Sequence, residues 1–159
     1  MLRKQIISKR SEESTSLEGE IPIADVATVQ VTSEAPDHPI DHAFDGRRGP
    51  GGSRWVADAP GEQSVILVFD APRTIRQIGL EVEELAVSRT QELAVSVSAD
   101  GGRTYRELVR QEFNFSPGTS FERERWSVSA DAITHLRLEI KPDKGGRIGR
   151  ASLTSLAVA

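Results

Sequence analysis

The chain contains no cysteine among its 159 residues. That removes disulfide staples, thiolate nucleophiles and thiolate metal sites together. Aromatic residues make up 5%, with one tyrosine and two tryptophans, so a platform of stacking rings has few side chains to draw on. No apolar stretch approaches a membrane span. The basic opening MLRKQIISKR has no apolar h-region, so a secretory signal is not expected and a cytoplasmic location is. The net charge of −4 leaves no positive surplus for a phosphate backbone, which argues against nucleic acid as a partner.

Catalytic signatures are missing too. There is no G-x-S-x-G elbow and no P-loop, and the glycines of DKGGRIGR (143–150) follow no Rossmann unit. Glu83 and Glu84 are adjacent, so on a strand they would point to opposite faces. No set of residues satisfies a nucleophile, base and orienter test, and an enzyme is not expected.

What remains is a one-domain sequence with 37% apolar and 28% charged residues, ordinary for a globular protein. Residues 1–22 are rich in Ser, Glu, Lys and Arg and bury too little to offset their ordering entropy, so a flexible N-terminal arm is expected there. From residue 23 to 159 the pattern is one of strands. The run Val65-Ile66-Leu67-Val68-Phe69 reads as a strand buried on both faces. Asp70-Ala71-Pro72 stops it. Ile78, Leu80 and Val82 then alternate with Gln77, Glu81 and Glu83, the period of a half-buried strand. The expectation is two strands joined by a tight turn and paired antiparallel.

Further strands are expected at Val26–Thr32, Arg54–Ala57, Glu92–Ala99, Thr104–Arg110, Glu122–Ser129, Thr134–Lys141 and Arg150–Val158. A hairpin is expected at Asp100-Gly101-Gly102. Phe113–Phe121 reads as a loop or short edge broken at Pro117-Gly118. Eight or nine short strands without a convincing helix mean an all-β sandwich or barrel.

The segments HPIDHAFDG (38–46), SRWVA (53–57), QSVILVFDAPRTIRQIGLEVE (63–83), ELAVSVSADGGRTYREL (92–108) and THLRLEIKPDKGGRIGRASLTSLAV (134–158) resemble, in order and spacing, the discoidin or coagulation factor type C domain. They are also similar to family 32 carbohydrate-binding modules. The resemblance implies an eight-stranded jelly-roll β-sandwich of the galactose-binding-like type. It implies a non-catalytic module, expected to be monomeric, that binds a carbohydrate or a protein partner through loops at one end.

In such a sandwich the loops carry function, here Glu34–Ser53, Glu84–Gln91, Glu112–Phe121 and Lys141–Gly149. The resemblance places the first and last together, which makes His42, Arg47, Arg48, Trp55, Lys144 and Arg147 the candidate ligand-binding residues. Arginine supplies planar paired donors to hydroxyls or carboxylates. Trp55 is either a stacking platform or a core ring, the core being the commoner fate. The resemblance also implies a structural calcium near the first loop, for which Asp45 matches one ligand. The final strand, however, offers the hydroxyls of Ser152, Thr154 and Ser155 where a carboxylate is expected, so no cofactor is expected. His38 and His42 have the i, i+4 spacing of a shared zinc ion, but the intervening proline favours a solvated or capping role.

Overall fold

The structure is a computed structural model, and it describes residue 3, residues 17–146 and residues 149–159. Its central element is strand β3, Gln63–Glu83, which pairs antiparallel with a second long strand, β6, Phe121–Lys141. The first half of β3 also pairs with β1 (Ala27–Val31), and the second half of β6 with β4 (Arg89–Ser98). Beyond β4 lies β5, Arg106–Phe115, at an edge. On its second half β3 pairs instead with β8, Ser155–Val158. Two short strands, β2 (Trp55–Val56) and β7 (Ser152–Leu153), form a separate ladder. The result is an all-β sandwich with open sheets.

The expected hairpin inside 63–83 is not what forms. Its two apolar segments follow one another end to end in β3 and do not pair with each other. The physical reason lies at Pro72. The ladder to β6 runs from Val68↔His135 to Arg73↔Ile133, leaving Asp70, Ala71 and Pro72 unpaired in a bulge. A proline lacks a donor and is tolerated there, and a bulge bends a strand where a turn would reverse it. Facing it, Ala132 adopts a φ of 56°, rare for a non-glycine residue. Both long strands therefore bend from one layer into the other. The expected strands at Glu122–Ser129 and Thr134–Lys141 merge into β6 for the same reason.

The core lies between the layers. Val65, Leu67, Leu93, Val95, Leu136 and Leu138 fill it from one side, and Ile78, Leu80, Val82 and Leu156 from the other. Burial at about 25 cal/mol per Å2 of apolar surface makes this the main source of stability. β5 extends farther than expected and takes in Phe113 and Phe115, which are buried and meet edge to face. The packed domain also begins earlier than residue 23. Leu17 is 5% exposed and Ile21 is buried, while the Ile21 N–H donates to the Val158 carbonyl at 2.8 Å. Leu17 lies over Gly79, where an added Cβ would stand 3.7 Å from its methyl group. The remainder of the expected arm, apart from residue 3, lies outside the described residues.

Among the described residues no helix is long and apolar enough to cross a membrane.

Candidate functional site

One end of the sandwich gathers the loops that follow β3 and β6 and precede β2 and β7. The loop 44–53 is tied down from beneath. Glu81 and Glu83, expected on the solvent face of a half-buried strand, are instead buried. Their carboxylates accept the N–H groups of the loop. Gly49 donates to Glu81 Oε1 at 2.7 Å, and Gly51 to Glu83 Oε2 at 3.1 Å. Both glycines have positive φ, 86° and 80°, a backbone shape that side chains resist. Arg123 pairs with Glu81 at 3.4 Å, so the buried carboxylate has a cation as well as a donor. Charge burial was not legible in the alternation because the cover comes from a distant loop.

Asp45 holds the exposed turn of the same loop. Its Oδ1 accepts the Arg47 N–H at 2.9 Å, and its Oδ2 accepts the Ser53 hydroxyl. This is the local use of an aspartate before glycine. Both carboxylate oxygens thus serve the turn. Among the described residues no three His, Asp or Glu side chains stand close enough to hold a metal ion. The donor set does not fit the calcium that the family resemblance implied through Asp45. It does not fit a zinc ion on His38 and His42 either.

Those two imidazoles do something else. A single 3-10 turn, Ile40–Ala43, follows Pro39 and brings the rings together edge to face, with centroids 6.5 Å apart. His38 Nδ1 and His42 Nδ1 lie 3.3 and 3.1 Å from the carbonyl oxygen of Arg54. A carbonyl only accepts, so each Nδ1 carries a proton, and in the neutral ring each Nε2 is then an acceptor. The pair is half-buried at the rim. Arg47, five residues farther along the same loop, is exposed and carries planar paired donors.

The last loop is fixed by a residue that sequence reasoning missed. The Arg89 side chain is 1% exposed. It donates to Glu84 Oε1 at 2.7 Å, Gln91 Oε1 at 2.8 Å, the Pro142 carbonyl at 2.6 Å and Ser152 Oγ at 2.9 Å. Phe115 lies 5.8 Å beneath the guanidinium. A single cation thus ties the start of β4 to Pro142 and to β7. Nothing in the sequence marks it, because an arginine at a strand entrance usually faces water.

The remaining candidates separate. Trp55 is fully buried, and its Nε1–H donates to the Ser33 carbonyl at 2.9 Å. It is a core ring that anchors β2 and cannot stack on a ligand. Arg48 is drawn under the rim, where it pairs with Glu20 and donates to Ser155 Oγ at 3.1 Å. Lys144 turns to the face of the five-stranded layer. Its backbone N–H donates to the Thr90 carbonyl at 2.8 Å, and its ammonium pairs with Glu112 and Glu92. The hydrogen bond from Lys144 to Glu112, with that residue's charge, raises its pKa above the usual lysine value. Arg147 lies outside the described residues. Of the set, His42 and Arg47 share the first loop and face solvent at least in part.

Beside this loop, segments 84–88 and 116–120 frame a hollow of about 260 Å3 whose lining includes Leu85, Val87 and Pro117. Leu85 and Val87 are 68% and 53% exposed.

The architecture is the galactose-binding-like sandwich of the discoidin type, as found in family 32 carbohydrate-binding modules. Three solved structures from Clostridium perfringens illustrate the likeness. One is a family 32 module in complex with GalNAc-β-1,3-galactose, 23% identical, with a TM-score of 0.60 over 87% of this chain and 98% of that one. The second is a family 32 module of a family 31 glycoside hydrolase, 15% identical, with a TM-score of 0.63 over 89% and 94%. The third is the family 32 module of NanJ in complex with galactose, 18% identical, with a TM-score of 0.60 over 87% and 96%. No protein-family model and no curated protein matches the sequence.

Proposed function

We propose that this chain is a non-catalytic carbohydrate-binding module that takes a sugar at the loop end of its sandwich, with His42 and Arg47 as the polar contacts. The observation that carries the reading is the pair of rim imidazoles locked by the Arg54 carbonyl, on a fold shared with modules solved in complex with galactose and GalNAc-β-1,3-galactose. A sugar hydroxyl both donates and accepts. It can give its proton to an imidazole Nε2 and receive one from a guanidinium. The Nδ1–H partner is a carbonyl and not a carboxylate, which suits a fixed acceptor better than a general base oriented for catalysis.

The test is a glycan array probed with wild type, His42→Ala and Arg47→Ala. Binding to galactose- or N-acetylgalactosamine-terminated glycans that falls at least tenfold in both variants supports the reading. A blank array, or binding indifferent to both changes, overturns it.

A second reading, a protein-interaction domain of the same superfamily, has its own observation. Leu85 and Val87 expose two large apolar side chains together at the loop end, the kind of patch that marks a protein contact. A blank array, together with self-association or partner binding lost in Leu85→Asp/Val87→Asp, would favour it.

A further inference from the structure

The outer face of the five-stranded layer carries a trough that the loop-end reading does not use. Its volume is about 530 Å3, and it is lined by Glu62, Ser64, Glu92, Ala94, Arg110, Glu139 and Lys141 among others. That volume falls within the roughly 300–1,000 Å3 of small-molecule sites.

The cause of the trough is written in β4. Glu92 and Ala94 are the β4 residues that line it, and Ala94 is small and 7% exposed. Longer side chains stand on both flanks. Glu139 faces Ala94 from β6, and Arg110 faces it from β5. Ser64 completes that row from β3 through its pairing with Glu139. The neighbouring row places Lys141 and Glu112 on either side of Glu92. Four strands at about 4.8 Å spacing make a trough roughly 14 Å across, wide enough for a short run of linked sugar rings.

Three of the charged side chains that line the trough, Arg110, Glu92 and Glu139, are already in ion pairs. Arg110 pairs with Glu92 and Glu107, Lys144 with Glu112 and Glu92, and Glu139 with Arg137 at 3.0 Å. A net ionic attraction is therefore small, while carboxylates (Glu62, Glu92, Glu139) and cations (Arg110, Lys141) both line the trough. Among the described residues no aromatic ring lines it. A charged ligand would compete with the ion pairs that Arg110, Glu92 and Glu139 already make. An uncharged polyhydroxyl chain can join them, since each hydroxyl offers both a donor and an acceptor.

We propose that this trough is a second carbohydrate site, separate from the loop end, that holds an uncharged oligosaccharide lying across the strands. The inference extends the carbohydrate reading but uses neither His42 nor Arg47, the two residues that reading rests on.

The test is calorimetric titration with neutral hexasaccharides of β-1,3-glucan, β-1,4-glucan and β-1,4-mannan, and with a hexagalacturonate as the charged comparison. The expected result is binding of at least one neutral hexasaccharide, weakened tenfold or more by Glu62→Ala/Lys141→Ala. Both side chains are exposed, and circular dichroism and the unfolding midpoint should match wild type. The glycan-array hits at the loop end should survive in the same variant, so failure of one site is distinguishable from failure of the other. Three results would overturn the trough: no neutral hexasaccharide binds, the double variant binds as wild type does, or hexagalacturonate binds as tightly as the neutral chains.

Discussion

The Gly49 N–H meets the buried Glu81 carboxylate at 2.7 Å, and this contact fixes the loop that presents Arg47. The carboxylate sits on the long strand β3, so a rigid layer sets the position of a glycine-rich loop. Replacing Glu81 by alanine leaves the Gly49 N–H and the Arg123 guanidinium short of their acceptor. An unpaired buried polar group costs about 1–3 kcal/mol. Urea unfolding of Glu81→Ala should show a loss of that size, and hydrogen exchange at Gly49 and Gly51 should accelerate.

Glu84 and Arg89 make a second buried pair, closed on the cation side. Removing the anion strands a guanidinium that water barely reaches. Breaking such a pair from one side typically costs about 3–5 kcal/mol. Glu84→Gln keeps one acceptor oxygen, so the expected loss is near the lower end, about 3 kcal/mol. The same exchange should expose the Lys144 amide, which bonds to Thr90 beside the pair. Equilibrium unfolding and exchange protection at that amide check both parts.

Trp55 separates a structural role from a ligand role. Trp55→Phe keeps most of the ring but leaves the Ser33 carbonyl without its 2.9 Å donor, at a cost of about 1–3 kcal/mol. Trp55→Ala should cost about 3–5 kcal/mol through the cavity it leaves. Sugar affinity of the folded fraction should not change in the phenylalanine variant. A selective loss of binding without loss of stability would contradict the assignment.

Acid stability should depend on Asp100. Hydrogen bonds from Thr104 and Ser98, then from the Thr104 backbone, hold its carboxyl well below the ordinary carboxylate range. A depressed folded-state value means the stabilisation is present above the unfolded value, about 3.9, and is lost as pH falls toward the folded one. Asp100→Asn should lower the melting temperature at pH 7, and the gap to wild type should narrow below about pH 4. A gap that widens in acid would contradict the assignment.

The sandwich class was legible because the apolar periods of Ile78–Val82, Leu93–Val97 and Leu136–Ile140 are strand periods and survive any detail of connection. Pairing was less so. Pro72 and Asp70 look the same in sequence whether the chain reverses or bends, and only the bulge opposite Ala132 decides it. The site was legible in part. The helical turn begun at Pro39 and the Asp45-Gly46 turn were legible as local structure. Trp55 was ambiguous because an amphipathic ring serves core and rim alike, and its partner Ser33 lies 22 residues away. Arg89, Glu81 and Glu83 were illegible because their burial depends on loops distant in sequence.

The central claim concerns the rim, and an amide-resolved NMR titration of the full chain with galactose addresses it most directly. The account predicts saturable shifts centred on His38, His42, Arg47 and Arg54, absent in His42→Ala. Shifts spread evenly over the surface, or none at those four residues, would contradict it.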